Sequence, residues 1–362
     1  SQADVPPPEN ILMLRYIVFC QRFNDVPDPL ITQTLKSFDH IHHEFLVFGP
    51  ECKIPCNQKV LLIPIQMAKV QRVYLNGTSP YAACRFAHML LKHCPSVISI
   101  VFANYSFLLP DQLRLVKVPS HKLLSLAFYN CSFNENQYDS LFEQLYKYRG
   151  DYERLSFDGL SFTKSQFEKL VNSIINSRCL KSLEFLEFNN FETKDIPSEF
   201  VSSLIKRLLK RKRFVQRLSV SGWNSPLSIG LDLFTNSPYT TDIILSNQDM
   251  TQPIPESFRL FQQAINHLDF SGSSFTFASL HSLFKVLSPI TAKMTQMTLN
   301  LSNIQMPPDQ WTQFYNSLST LPKLKCLKEL DWSGNPIDNA FIVPWVNFFF
   351  GSSKITFLKI DS

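Results

Sequence analysis

One pattern recurs along this chain and restricts what it can fold into: an apolar residue, two others, then apolar-x-apolar-x-x-(Asn, Cys or apolar)-x-apolar. The clearest copy is Leu327-x-x-Leu330-x-Trp332-x-x-Asn335-x-Ile337. Others are Val97/Ile100/Phe102/Tyr105/Phe107, Leu123/Leu126/Phe128/Cys131/Phe133 and Tyr152/Leu155/Phe157/Leu160/Phe162. Further on come Val215/Leu218/Val220/Trp223, Ile243/Leu245/Gln248/Met250, Ile265/Leu268/Phe270/Ser273/Phe275 and Leu299/Leu301/Ile304/Met306. Val73/Leu75 opens the series, and Leu358/Ile360 begins a copy that is not finished. Near residue 185 two registers fit, Leu183/Phe185 or Leu186/Phe188. Eleven copies from Val73 to Leu358 leave ten intervals, a mean of 28.5 residues.

Each copy alternates like a short strand. The segments between copies carry apolar residues at helical spacing, as in Phe86/Met89/Leu90, Leu170/Val171/Ile174/Ile175, Phe200/Val201/Leu204/Ile205/Leu208 and Trp311/Phe314/Tyr315/Leu318. A unit is then a strand, a turn and a helix running back. One such unit cannot bury its own apolar face, so the stack of units supplies the core. The period lies at the long end of the leucine-rich-repeat range of about 20–29 residues. The expected fold is therefore α/β: a leucine-rich-repeat solenoid of the ribonuclease-inhibitor-like kind, with strand–helix repeats of about 28 residues. Residues 11–50 do not follow the pattern. Ile11–Phe23 and Leu30–Phe38 read as helices and Phe45–Phe48 as a strand, giving a helical N-terminal cap over 1–65 ahead of a solenoid over 66–362. The other end has no such device, and an open apolar strand edge is a liability. The expectation is that further chain or a partner covers it; Ser1 in place of Met likewise reads as a piece of something longer.

Composition removes several alternatives. At 44% hydrophobic and 18% charged the chain is too apolar to stay disordered. Its densest apolar run, Phe341–Phe350, holds Pro344 and Asn347 and falls short of the roughly 18 residues of a membrane span. Nine glycines are few for folds built on phosphate loops. The net charge is +5, but Lys206, Arg207, Lys210, Arg211, Lys212 and Arg213 lie together, and without them it is −1. The basicity is one patch, which argues against nucleic acid as a partner. The patch reads as favourable charge at a helix C-terminus, as a docking point for an acidic protein surface or a weak contact for acidic lipid, or as a nuclear import signal. Eight scattered cysteines read as reduced, buried thiols of a cytoplasmic protein. Cys52-x3-Cys56 has no further ligands at zinc spacing, so no metal is expected. Four sequons, at Asn76, Asn104, Asn130 and Asn300, read as chance.

No G-x-S-x-G, H-E-x-x-H or G-x-x-x-x-G-K-[ST] occurs, and neither an enzyme nor a cofactor is expected. The residues that point away from the core line the inner surface of the expected curve. Among them Arg154, Arg217, Asp242, His267, Asp269, Asn300, Glu329 and Asp331 form the candidate partner-binding face. His267 alone is a surface polar residue rather than a base. Asp269 and Asp331, two repeats apart, stand about 10 Å from one another with Asn300 between. A glycosidase pair can span such a gap, but an open face excludes no water. Acids concentrate in the C-terminal half, which predicts a basic partner there.

Three stretches resemble one known family. Residues 264–306 contain INHLDFSGSSF, ASLHSLFKVL and MTLNLSNIQM; His121–Phe191 holds three more repeats of that style; and FCQRFNDVPDPLITQTL with EFLVF is similar to the helical cap preceding such repeats. The likeness is to the leucine-rich-repeat domain of the CARMIL family, cytoskeletal linkers of capping protein, Arp2/3 and myosin-I. It implies a non-catalytic scaffold of the actin cytoskeleton, cytoplasmic, with actin-regulatory protein partners. The family's Pro-rich capping-protein-binding segment, pleckstrin-homology domain and dimerisation region have no counterpart in these residues. Tyr105, Leu160, Trp223 and Ser273 replace its consensus Asn. Two other readings stay open: a structural part of a microtubule or flagellar axonemal assembly, its basic patch meeting acidic tubulin, and an inhibitor or sensor solenoid.

Overall fold

The computed structural model describes residues 16–19, 45–48, 70–76, 80–107, 124–147, 152–177, 183–191, 196–212, 215–222, 239–254, 265–291, 297–324, 327–350 and 355–361. It is an α/β structure of parallel strands and helices that divides into two compact units, Ser1–Glu187 and Phe188–Ser362.

In the N-terminal unit, β1 (Tyr16–Phe19), β2 (Phe45–Phe48), β3 (Arg72–Asn76), β4 (Ser99–Ala103), β6 (Ser125–Tyr129) and β8 (Arg154–Asp158) pair in sequence order, all parallel. Phe45 aligns with Arg72, Ser99, Ser125 and Arg154, at steps of 27, 27, 26 and 29 residues. The strand expected at Phe45–Phe48 is present. The helix expected over Ile11–Phe23 is not what Tyr16–Phe19 forms. These four aromatic and β-branched residues suit a pleated surface better than a helix, and they pair with β2. The second cap helix, Leu30–Phe38, lies outside the described residues. Short strands β5 (Ser106–Phe107) and β7 (Ser132–Phe133) form a second parallel pair after the turns. β9 (Phe185–Asn189) settles the ambiguous register. Phe185 N–H donates to the Glu153 carbonyl, as Arg154 N–H does to that of Leu124, so Leu186 and Phe188 are the core pair.

Among the described residues, helices α1 (Pro80–His93), α2 (Glu135–Lys147) and α3 (Lys164–Asn176) follow strands of this unit. Thr163 and Gln166 start α3 with a reciprocal capping box. Its apolar side, Phe167, Leu170, Val171 and Ile174, is buried. Beneath the helices the second core residue of successive strands is phenylalanine. Phe102, Phe128 and Phe157 stack at 5.6 and 6.1 Å, and Phe107 stacks on Phe133 at 4.9 Å.

In the C-terminal unit, β10 (Arg217–Ser221), β11 (Asp242–Ile244), β13 (His267–Asp269), β15 (Met297–Asn300), β16 (Leu327–Asp331) and β17 (Phe357–Lys359) pair parallel and in order. Arg217, Asp242, His267, Thr298, Glu329 and Phe357 align at steps of 25, 25, 31, 31 and 28 residues. Loop length varies, and apart from a one-residue irregularity between Met297 and Thr298 against β16 the register of the core positions holds, because a one-residue slip would turn core side chains outward. β12 (Asp249–Met250) and β14 (Ser274–Phe275) repeat the short second pair. Helices α4 (Ser198–Arg211), α5 (Phe277–Thr291), α6 (Pro308–Asn316) and α7 (Asn339–Phe350) belong to this unit. Trp332 stacks on Phe314 of α6 and meets Trp345 of α7 at 4.5 Å, so helices cover the core side of the strands.

Every described strand exit has one residue with positive φ at the same place, four after the first core residue. They are Asn104, Asn130, Gly159, Asn190, Gly222, Asn247, Gly272, Asn303 and Gly334. From Asn130 onward Asn and Gly alternate. A Cβ on Gly159, Gly272 or Gly334 would lie 2.0, 2.2 or 2.0 Å from the Oδ1 of Asn130, Asn247 or Asn303. The side chains of Asn130, Asn190, Asn247 and Asn303 fill the space above the next turn, and Gly leaves that space.

Candidate interaction face

Counted from the residues in register with Arg154 or Arg217 (so from Thr298 in β15 and Glu329 in β16), alternation places the first, third and fifth positions on the side away from the helices. In the N-terminal unit the third positions are Tyr74, Val101, Ala127, Ser156 and Glu187, and the last four are buried. In the C-terminal unit they are Ser219, Ile244, Asp269, Asn300, Asp331 and Lys359. The first two of these are buried, Asp269, Asn300 and Asp331 are half-buried, and Lys359 is exposed.

The candidate residues divide by what they touch. Arg154 is engaged internally. Its Nη2 lies 3.0 Å from Glu187 Oε1, and its guanidinium sits over the Phe185 ring at 5.9 Å. Burial works to raise the Glu187 carboxyl, but the Arg154 charge and hydrogen bonds from Arg154 and Ser156 prevail and hold it below the usual carboxylate range. Arg154 therefore positions a buried carboxylate rather than standing ready for a partner. Arg217 aligns with Asp242, which accepts from Thr241 Oγ1. His267 Nδ1 lies 2.6 Å from Thr298 Oγ1 on the next strand. Glu329 is half-buried between Thr298 and Phe357 in register.

Asp269, Asn300 and Asp331 stand on neighbouring strands in one row, as their spacing implies. Each uses Oδ1 to accept the backbone N–H two residues on, from Ser271, Ser302 and Ser333, at 2.8, 2.9 and 3.0 Å. Ser302 and Ser333 add hydroxyl donors to the same oxygens. Asp331 Oδ2 lies 3.9 Å from Lys359 Nζ. These side chains thus cap their own strand exits and keep a second carboxylate or amide edge on the same face. The serines were not singled out from sequence, though the signal was there: LDFSG, LNLSN and LDWSG repeat one Asp/Asn-x-Ser-Gly/Asn phrase. Inward of this row, Asn335 Nδ2 donates to the Leu301 carbonyl and its Oδ1 accepts from Ile304 N–H. Gln248 donates to Val220, and Ser273 Oγ donates to Leu245 while accepting from Gln248 N–H. Ser273, which departs from the consensus Asn, therefore performs a similar bridging task.

The basic cluster lies at the end of α4. Arg207, Lys210 and Arg211 are exposed, Lys206 and Lys212 are half-buried, and Arg213 lies outside the described residues. Cys84, Cys94 and Cys131 are free and buried; burial pushes their thiols up to about 12, 11 and 12. Among the described residues no group of three His, Cys, Asp or Glu is placed to hold a metal ion, and no helix is long and apolar enough to cross a membrane. What the polar face offers chemically is the second carboxylate oxygens of Asp269 and Asp331, with the Asn300 amide donor between them.

No protein-family model matches this chain. No curated protein matches it. Among solved structures it is similar to one described as the crystal structure of the TLR13–ssRNA13 complex, at 13% sequence identity and a TM-score of 0.37. The match covers 88% of this chain and 54% of that one, so the chain spans about half the length of that protein.

Proposed function

We propose that the chain is a non-catalytic protein-interaction scaffold built on ribonuclease-inhibitor-like leucine-rich repeats. The helix-free strand face of its C-terminal unit takes up a basic protein segment. The observation that carries this reading is the in-register row Asp269, Asn300 and Asp331, flanked by Asp242 and Glu329 on the first-position row. Acceptors held by their own turns lose little freedom when a partner arrives, which is how a fixed row gains affinity. The CARMIL-like wording of the repeats supports a place for the scaffold in the cytoplasmic actin cytoskeleton. The alternative assignment is a microtubule or flagellar axonemal assembly.

The test follows from the turn geometry. Alanine at Asp269 or Asp331 would remove charge and turn cap together. Asn keeps the Oδ1 acceptor, as Asn300 demonstrates within the same row. The variant Asp269→Asn/Glu329→Gln/Asp331→Asn should fold like the parent and lose retention on a lysine-rich peptide column at low salt. Undiminished retention by that variant would overturn the reading. Co-sedimentation with filamentous actin fractions rather than with microtubules supports the first assignment; the reverse supports the second.

A further inference from the structure

The basic end of α4 is not required by the fold. Cations favour helix C-termini in general, and the last turn of α1 carries Lys92 and His93, yet the last turns of α3, α5, α6 and α7 carry none. On α4 they crowd together. Lys206 and Lys210, and Arg207 and Arg211, are four residues apart, and Arg207 and Lys210 are three apart. Like charges at these spacings repel along a helix. The opposite side of the helix, Val201, Leu204, Ile205, Leu208 and Leu209, is buried, which fixes Arg207, Lys210 and Arg211 on the exposed side.

We propose that the exposed end of α4 is a docking site for an acidic, extended protein segment rich in Asp or Glu. Charge complementarity names the chemistry, and the size of the patch narrows it. Arg207 to Arg211 covers about 6 Å of helix axis, the span of a few side chains. The exposed residues Glu199 and Ser203, nearer the N-terminus of α4, offer no apolar group for a bilayer to accept. A short run of carboxylates fits the footprint, and the exposed Arg211 carries the planar fork that carboxylates bind in pairs. This site is separate from the strand face and does not depend on it.

Fluorescence anisotropy with a labelled oligoglutamate peptide and the full chain tests it. The peptide should bind at low ionic strength and release as salt rises, while an oligoglutamine peptide should not bind. Lys210→Gln/Arg211→Gln should weaken binding about tenfold and flatten its salt dependence. It should melt no lower than the parent, since it relieves repulsion. Lys210→Arg/Arg211→Lys should retain binding, as should Asp269→Asn/Asp331→Asn on the strand face. Equal affinity in parent and glutamine variant would overturn the proposal. So would tighter, Lys210- and Arg211-dependent capture by phosphatidylserine vesicles than by the peptide, which would assign the patch to lipid.

Discussion

The two units apply one repeat in different materials. In the N-terminal unit, successive repeats are joined by stacked rings, Phe102 on Phe128 on Phe157, with Phe107 on Phe133 beside them. In the C-terminal unit the second core position varies through Val220, Leu245, Phe270, Leu301 and Trp332, and polar side chains do much of the stitching. Gln248, Ser273 and Asn335 each reach back to a carbonyl of the preceding repeat. The helix-free faces differ in the same sense: Val101 and Ala127 on one, Asp269, Asn300 and Asp331 on the other. The lesson is that the helix side of a strand answers to packing, which both units satisfy with apolar bulk. On the other side Val101, Ala127, Ser219 and Ile244 are buried as well, and it is at the half-buried Asp269, Asn300 and Asp331 that polar groups reach the surface and can carry specificity.

The comparison can be broken first at the rings. Phe128→Ala would leave a void between two stacked neighbours and should cost about 3–5 kcal/mol in urea unfolding. An equal loss from Val220→Ala, which removes less volume at the matching C-terminal position, would show that ring stacking is not what distinguishes the units. The ladder comes next. Asn335→Ala strands the Leu301 carbonyl and the Ile304 N–H in the interior and should cost about 2–3 kcal/mol.

A smaller effect sharpens what the units share. Gly334→Ala combines a left-handed backbone with a Cβ 2.0 Å from Asn303 Oδ1, and should cost about 2 kcal/mol. Adding Asn303→Gly removes the collision but not the backbone strain, so about half of the loss should return. Gly159 and Asn130 should behave alike in the other unit. If the second substitution rescues nothing, the alternation of Asn and Gly is not a packing rule. The smallest effect belongs to Glu187. Its carboxyl is depressed in the folded chain, so its contribution is present above the unfolded carboxyl range near pH 4.3 and fades as acid carries the pH down through the folded value. Melting curves of Glu187→Gln should show a shallower decline over that acid window than the parent.

Much of this was legible from spacing. The first residue of each Leu-x-Leu pair falls on a strand wherever the chain is described, the second falls on the strand or one residue past its end, and the helical apolar residues fall on the core-facing sides of helices. Strand Tyr16–Phe19 was misread because a four-residue apolar run carries no period of its own and borrowed one from its neighbours. The register near residue 185 was ambiguous because Leu183 and Leu186 are both buried; backbone pairing to Glu153 chose between them. Of the candidate face, the row Asp269, Asn300 and Asp331 was readable as a row. That its members cap turns was not, since a side chain's hydrogen-bond partner depends on the local exit angle of the backbone.

The order of apolar residues alone determined that successive units must lean on one another, because no single unit holds enough inward surface to exclude water. It also determined which residues turn away from that core. Which of those are engaged and which stand ready was a tertiary decision. Arg154 closes on Glu187, thirty-three positions along, and Asn303 lies over Gly334, in the following turn. Such meetings are made by the stacking of neighbouring repeats, and a linear pattern specifies the period of a stack without specifying which side chains meet across it.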